Sequence, residues 1–251
     1  MGRDLAVDRF AGSEPRVVVV HGVLDRAATF RRFARALAPL EVVLYDRRGY
    51  ARSRDMGPAT FTAHLADLRA VVGREHATVV VGHSLGGTLA LALASDPPPT
   101  LRGVSVFEAP LPTSAWWGPW AVDPRSVLAG EVPEPDLEEL VSDFLRRAMG
   151  PALAQLGPNF LAERRAEAPA FTRELAELAA GEVAIDLDRI SVPVQAGIGE
   201  LAGTRHRRGL ATLMASIDAE AYCVRGAPHG VHLSAPAAWA EAVRDFIRRL
   251  D

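Results

Sequence analysis

Arg16-Val17-Val18-Val19-Val20 is a β-branched apolar run that stops at His21-Gly22, and runs of this kind return further along the chain. Val42 to Tyr45 stops at Asp46-Arg47-Arg48-Gly49, Thr78 to Val81 at Gly82, and Gly103 to Phe107 at Glu108-Ala109-Pro110. Val192 to Ile198 and Glu220 to Val224 complete the set. A strand with one wet face alternates apolar and polar residues, whereas continuous apolar runs suit strands covered on both faces, as in a parallel sheet. Between the runs lie segments of helical period: Phe30 to Leu37, Phe61 to Val72, Thr88 to Ala94, Gly209 to Ser216 and Ala237 to Arg249. In the last of these, Trp239, Val243, Phe246 and Ile247 form one stripe, the pattern of a helix laid on a sheet. Strand and helix alternate, so the fold class is α/β with right-handed crossovers.

The segment after Leu111 breaks that rhythm. Residues 111–188 show helical patterns at Leu137 to Met149 and Thr172 to Ala180 but no strand. They also hold Trp116, Trp117 and Trp120 and eight of the 18 prolines. The composition fits a helical lid over an apolar pocket, with Phe144 among its aromatics, better than an independent domain. The expected organisation is a core of residues 1–110 and 189–251 with a lid of residues 111–188 inserted after the strand that ends at Phe107.

With 49% hydrophobic residues in 251, the chain can bury a substantial core. Its 28 basic and 31 acidic residues leave a net charge of -3, no footprint for nucleic acid or an anionic membrane, so neither is an expected partner. All the basic residues are arginine, and with abundant alanine this points to a G+C-rich bacterial genome. A lone Cys223 forms no internal disulfide, and Met1 to Phe10 lacks a signal-like apolar stretch, so a cytoplasmic location is the expectation. No apolar run approaches the ~18 residues that span a bilayer. Monomer and homodimer stay equally open.

Gly82-His83-Ser84-Leu85-Gly86 is a G-x-S-x-G pentapeptide directly after a strand and directly before a helix, the context of a nucleophile elbow. The glycines have a steric purpose, because the chain reverses within a few residues and holds the serine in a strained backbone conformation. The helix that begins beside Ser84 adds a positive dipole end, favourable to a developing anion.

His21-Gly22-Val23, after the first strand, together with this elbow resembles the α/β-hydrolase family. The turn Tyr45-Asp46-Arg47-Arg48-Gly49-Tyr50-Ala51-Arg52-Ser53 extends the resemblance, with Ala51 replacing a glycine of the family's turn. The resemblance implies an α/β-hydrolase fold: a mostly parallel, doubly wound sheet with helices on both faces and the helical lid. It implies backbone N–H groups of Val23 and Leu85 as the oxyanion hole, with His21 structural, and it places the general base at His229 in Gly226-Ala227-Pro228-His229-Gly230, with His232 as the competitor. Arg47 and Arg48 read as salt-bridge partners of the turn. His64, His76, His83 and His206 show no metal-ligand spacing and read as surface or helix-face residues.

The acid is the unusual member. The resemblance places it just after Val192 to Ile198, where the sequence runs Gly199-Glu200-Leu201-Ala202-Gly203 and the expected position is Ala202. Glu108, at the end of the strand Gly103 to Phe107, is the replacement that best fits the rim of a doubly wound sheet, and Glu200 is the alternative. Ser84 rather than an aspartate at the elbow points to acyl transfer on an ester, lactone or thioester of a small apolar substrate, with no metal or organic cofactor. Two other readings stay open at this stage: a cofactor-free lyase or cyclase using the same pocket, and a ligand-binding protein of hydrolase fold with weak turnover.

Overall fold

Seven strands form one sheet in the order β1-β3-β2-β4-β5-β6-β7. The computed structural model describes residues 4–73, 76–111, 123–149, 153–154, 156–183 and 185–250. The strands are β1 (Val7–Phe10), β2 (Ser13–Val20), β3 (Leu40–Tyr45), β4 (Thr78–His83), β5 (Leu101–Phe107), β6 (Val194–Gly199) and β7 (Glu220–Val224). Each continuous apolar run of the sequence lies in a parallel strand, β2 to β7. β1 was not legible as a strand: it is short and half-exposed, and it pairs antiparallel to β3 at the sheet edge.

The helices are α1 (Arg31–Ala36), α2 (Phe61–Val72), α3 (Leu85–Ala94), α4 (Pro124–Ala129), α5 (Glu134–Met149), α6 (Pro158–Arg165), α7 (Ala168–Ala180), α8 (Thr204–Ser216), α9 (Val231–Ser234) and α10 (Pro236–Arg248). The twofold period of the strands sorts their side chains between two cores. Val17, Val19, Val42, Leu44, Val79 and Val81 pack with Phe33 of α1 and with Trp239, Val243 and Phe246 of α10. Val18, Val20, Val43 and Val80 pack with Leu68 of α2, Leu89 and Leu93 of α3 and Leu213 of α8. Both faces are thereby dry where these residues lie, which is why their runs show no polar alternation; β7, at the far edge of the sheet, is largely exposed and does not share that burial. Removing each such valine from water contributes roughly 1.5–3 kcal/mol. Among the described residues, no helix is long and apolar enough to cross a membrane.

Helices α4 to α7 lie in the chain between β5 and β6, and a third cluster joins α5, α6 and α7 to the core. Val141, Leu145, Phe171 and Leu175 meet Leu24 and Tyr50 there. Carboxylates fix the docking. Glu167, just before α7, accepts the Ala51 N–H at 2.9 Å, and Glu177 accepts the Phe61 N–H at 2.6 Å. Glu174 forms a fully buried pair with Arg47 at 2.7 Å and also accepts the Tyr50 hydroxyl at 2.7 Å. Trp116, Trp117 and Trp120 lie outside the described residues.

Candidate active site

The C-terminal ends of β2, β4, β5 and β6 and the loop after β7 converge on one rim of the sheet. At the end of β4 the chain turns directly into α3, with Ser84 at φ 53° and ψ -127°. That left-handed φ is strained for a residue with a Cβ. The surrounding glycines make the turn possible: a Cβ on Gly82 would stand 2.4 Å from the Gly86 carbonyl oxygen, and one on Gly86 would stand 2.1 Å from that of Val20. Ser84 is held from below by its own N–H, which donates to Phe107 O at 2.9 Å.

The loop after β2 closes over the same point. A Cβ on Gly22 would come within 2.9 Å of Ser84 Cβ, so the backbone just before Val23 lies against the serine. His21 holds this loop. Its Nε2 accepts the Arg47 N–H at 2.9 Å, which leaves the proton on Nδ1 to donate to Gly22 O at 2.8 Å. Burial and then the Arg47 charge push its pKa down to about 4, so it is neutral at pH 7. Arg47 in turn donates to Gly22 O at 3.0 Å while pairing with Glu174, and Arg48 pairs with Asp67 at 2.6 Å, so both arginines of the turn are engaged in ion pairs.

Glu108 directly follows β5 at φ 49°, a second strained residue just past the strand that pairs with β4. Its carboxylate is fully enclosed: Oε1 accepts the Gly199 N–H at 2.9 Å, and Oε2 lies 2.6 Å from His229 Nδ1. Burial alone would raise its pKa, but the His229 hydrogen bond and charge, the His206 charge and the Gly199 N–H outweigh it and hold the carboxyl below the usual range. With Glu108 ionised, His229 Nδ1 carries the proton and Nε2 is left as a base. The backbone of His229 is tied to the elbow as well, since His83 Nε2 donates to its carbonyl at 2.8 Å.

The competing assignments fall elsewhere. Glu200 Oε2 accepts the Gly226 N–H at 2.7 Å, closing the turn after β7, while His229 Nδ1 is taken by Glu108. His232 is buried, stacked on Phe30 at 4.1 Å, with Nε2 3.1 Å from Asp25 Oδ2. Burial would raise the Asp25 carboxyl, but the charge and hydrogen bond of His232 hold it far below the usual range. Phe144 packs on Phe171 at 5.0 Å, against the cluster that joins the helical segment to Leu24 and Tyr50.

His64 and His206 lie on helices, α2 and α8, with His64 buried beside Glu174, whereas His83 departs from the sequence reading as a buried strand residue beneath the elbow. His206 belongs to the site: its ring stacks on His229 at 4.5 Å, and its Nδ1 lies 3.5 Å from Glu108 Oε2. The available signal was its place in the first turn after β6, at the rim where the other site residues stand.

Among the described residues, Asp25, His83 and His232 form one triplet with potential metal donors within 4.8 Å of one another, and Glu108, His206 and His229 form a second. In the first, Asp25 and His232 pair with each other. In the second, the imidazoles are near-parallel, 17° apart, so their in-plane lone pairs run side by side instead of converging on an ion.

A doubly wound parallel sheet with a strand–serine–helix elbow, an enclosed carboxylate and an imidazole at its C-terminal rim defines the α/β-hydrolase type of fold and site. Residues 17–242 match the model of the alpha/beta hydrolase family, and the chain belongs to that family. An alpha/beta hydrolase from Sphaerobacter thermophilus is 28% identical, with a TM-score of 0.71 over 97% of this chain and 96% of that one. Lipase LipV of Mycobacterium tuberculosis is 36% identical over 108 residues, 42% of this chain and 41% of the lipase. The sn-1-specific diacylglycerol lipase ABHD11 of Xenopus laevis is 33% identical over 118 residues, 44% of this chain and 38% of that protein. The matches thus span about two fifths of these curated relatives.

Proposed function

We propose that this protein is a serine hydrolase that cleaves an ester, lactone or thioester of a small apolar substrate through an acyl-serine intermediate. The observation that carries the reading is the 2.6 Å contact of His229 Nδ1 with the enclosed Glu108 carboxylate, on a loop bonded to the residue beside Ser84. The lipase names of two partial relatives support ester chemistry. In this reading His229 Nε2 takes the proton from Ser84 Oγ as the oxygen attacks the substrate carbonyl, then returns it to the leaving group. Water repeats the sequence on the acyl-serine and releases the acid.

Glu108 stays ionised throughout, fixes the tautomer of His229 and stabilises the imidazolium that forms. The backbone N–H groups of Val23 and Leu85 receive the oxyanion, each worth about 3–4 kcal/mol because the charge appears only in the transition state. The approach of Gly22 to Ser84 and the start of α3 at Leu85 support that assignment. Residues 111–188 act as the lid that shapes the acyl pocket.

A panel of short esters, long-chain esters and acyl thioesters tests the reading. One class is turned over well above the others, and Ser84→Ala lowers its turnover by at least ~10⁴-fold. Hydrolysis that survives Ser84→Ala would refute the acyl-serine route.

A further inference from the structure

We propose that His206 is a positioning residue that clamps the His229 ring by stacking on it, so that one carboxylate, Glu108, serves two imidazoles of unequal role. The proposal rests on the reading of Ser84 and His229 as nucleophile and base.

The geometry divides the two rings clearly. His229 makes the short contact with Glu108 Oε2, 2.6 Å, and stands 40% exposed at the rim. His206 makes only the long one, 3.5 Å, and its side chain is 17% exposed. What His206 supplies is therefore a surface: a ring 4.5 Å from that of His229 and tilted by 17°. On another side His83 lies 4.7 Å from His229 and bonds its carbonyl. Besides the Glu108 bond, His229 is thus held by His83, whose ring stands beside its ring and bonds its carbonyl, and by the His206 face over its imidazole.

The clamp comes from the start of α8, just past the connection from β6. Ala202 offers no carboxylate there, but the elements on either side supply the Gly199 N–H, from the end of β6, to Glu108 Oε1 and the His206 ring, from α8, to His229. His206 sits in the first turn of α8, its N–H bonded to Gly203 O at 3.1 Å, so the ring rides on a helix and not on a free loop. Such rigid support holds a base within the narrow angular range that proton transfer needs.

Burial, and next the His229 charge, push the His206 pKa down to about 4; Glu108 raises it and Arg205 lowers it. At neutral pH the clamp is accordingly an uncharged imidazole. It covers the Glu108 and His229 bond without repelling the imidazolium that forms during acyl transfer.

His206→Phe keeps a ring of similar size, and His206→Leu fills the space without one. Three readouts are compared with the wild type: the rate of Ser84 modification by a fluorophosphonate, the far-downfield proton resonance of the His229 Nδ1–H, and Tm. The Phe variant is expected to restore most of the rate and to keep the resonance. The Leu variant is expected to slow modification about 10-fold, as misorientation of a base does, and to broaden the resonance by exchange with water, with Tm close to that of the Phe variant. A Leu variant matching the wild type in rate and resonance overturns the clamp, and so does a Phe variant that falls with it. Should the Leu variant fail to fold, the Phe variant decides alone: a kept resonance supports the clamp and a lost one refutes it. If the wild type is not modified at Ser84, the catalytic reading fails by itself while the resonances still judge the clamp.

Discussion

Glu174→Gln removes one charge from the most enclosed polar network in the described structure. Glu174 accepts from Arg47 Nη1 at 2.7 Å and Nη2 at 3.2 Å and from the Tyr50 hydroxyl at 2.7 Å, and His64 Nε2 lies 2.5 Å away. Arg47 and Glu174 are each 0–1% exposed, so the variant strands a guanidinium charge out of water. Breaking one partner of a buried pair costs about 3–5 kcal/mol. The carboxyl itself gives a compatible figure: burial raises its pKa, but Arg47 and then His64 bring it from the usual 4.5 down to about 2. At ~1.4 kcal/mol per unit that displacement is worth about 3 kcal/mol. For a chain of this size the loss lowers Tm by roughly 10 °C, read by calorimetry or circular dichroism. Because the folded pKa is depressed, the contribution is complete above the usual 4.5 and fades as pH falls toward about 2. The wild type should therefore lose more stability than the variant across that window. A variant that melts within 1–2 °C of the wild type, by the same conversion, would refute the reasoning.

Glu108→Gln should lower ester turnover at least ~100-fold by disturbing the partner of His229, whereas Glu200→Gln should leave it within about 3-fold; steady-state kcat/KM checks the ranking, and the reverse order would move the acid to Glu200. Gly22→Ala should slow fluorophosphonate modification of Ser84 by at least ~10-fold, since the added methyl stands 2.9 Å from Ser84 Cβ and one of the two must shift. His83→Phe should lower kcat more than it raises KM, because it removes the 2.8 Å bond that holds the His229 carbonyl but no group placed against substrate.

The parallel strands were legible because a sheet covered on both faces needs continuous apolar runs, and Val17 to Val20 and Val79 to Val81 supply them. β1 was not, because Val7–Phe10 is a half-exposed edge whose pairing with β3 depends on a distant partner. Ser84 and its glycines could be read locally, since the steric demand of the turn falls on adjacent residues. The pairing of Glu108 with His229 joins positions 121 apart, so the sequence could nominate the acid only by its place at the end of a strand. Arg47 was legible as half of an ion pair, but Glu174 lies 127 residues further on and could not be matched to it. The place of His206 beside the site was not legible, because its neighbours in space, Glu108 and His229, give no spacing pattern along the chain. The contact of Phe144 with Phe171 was not legible either, because it joins two helices that no local pattern pairs.

The central claim is that Ser84 is activated by His229. Intact-protein mass after incubation with a fluorophosphonate, which forms a stable adduct only with an activated serine, tests it most directly on the wild type, Ser84→Ala and His229→Ala. One adduct is expected on the wild type and none on either variant. A folded wild type that takes up no adduct, or a His229→Ala variant labelled as fast as the wild type, would contradict it.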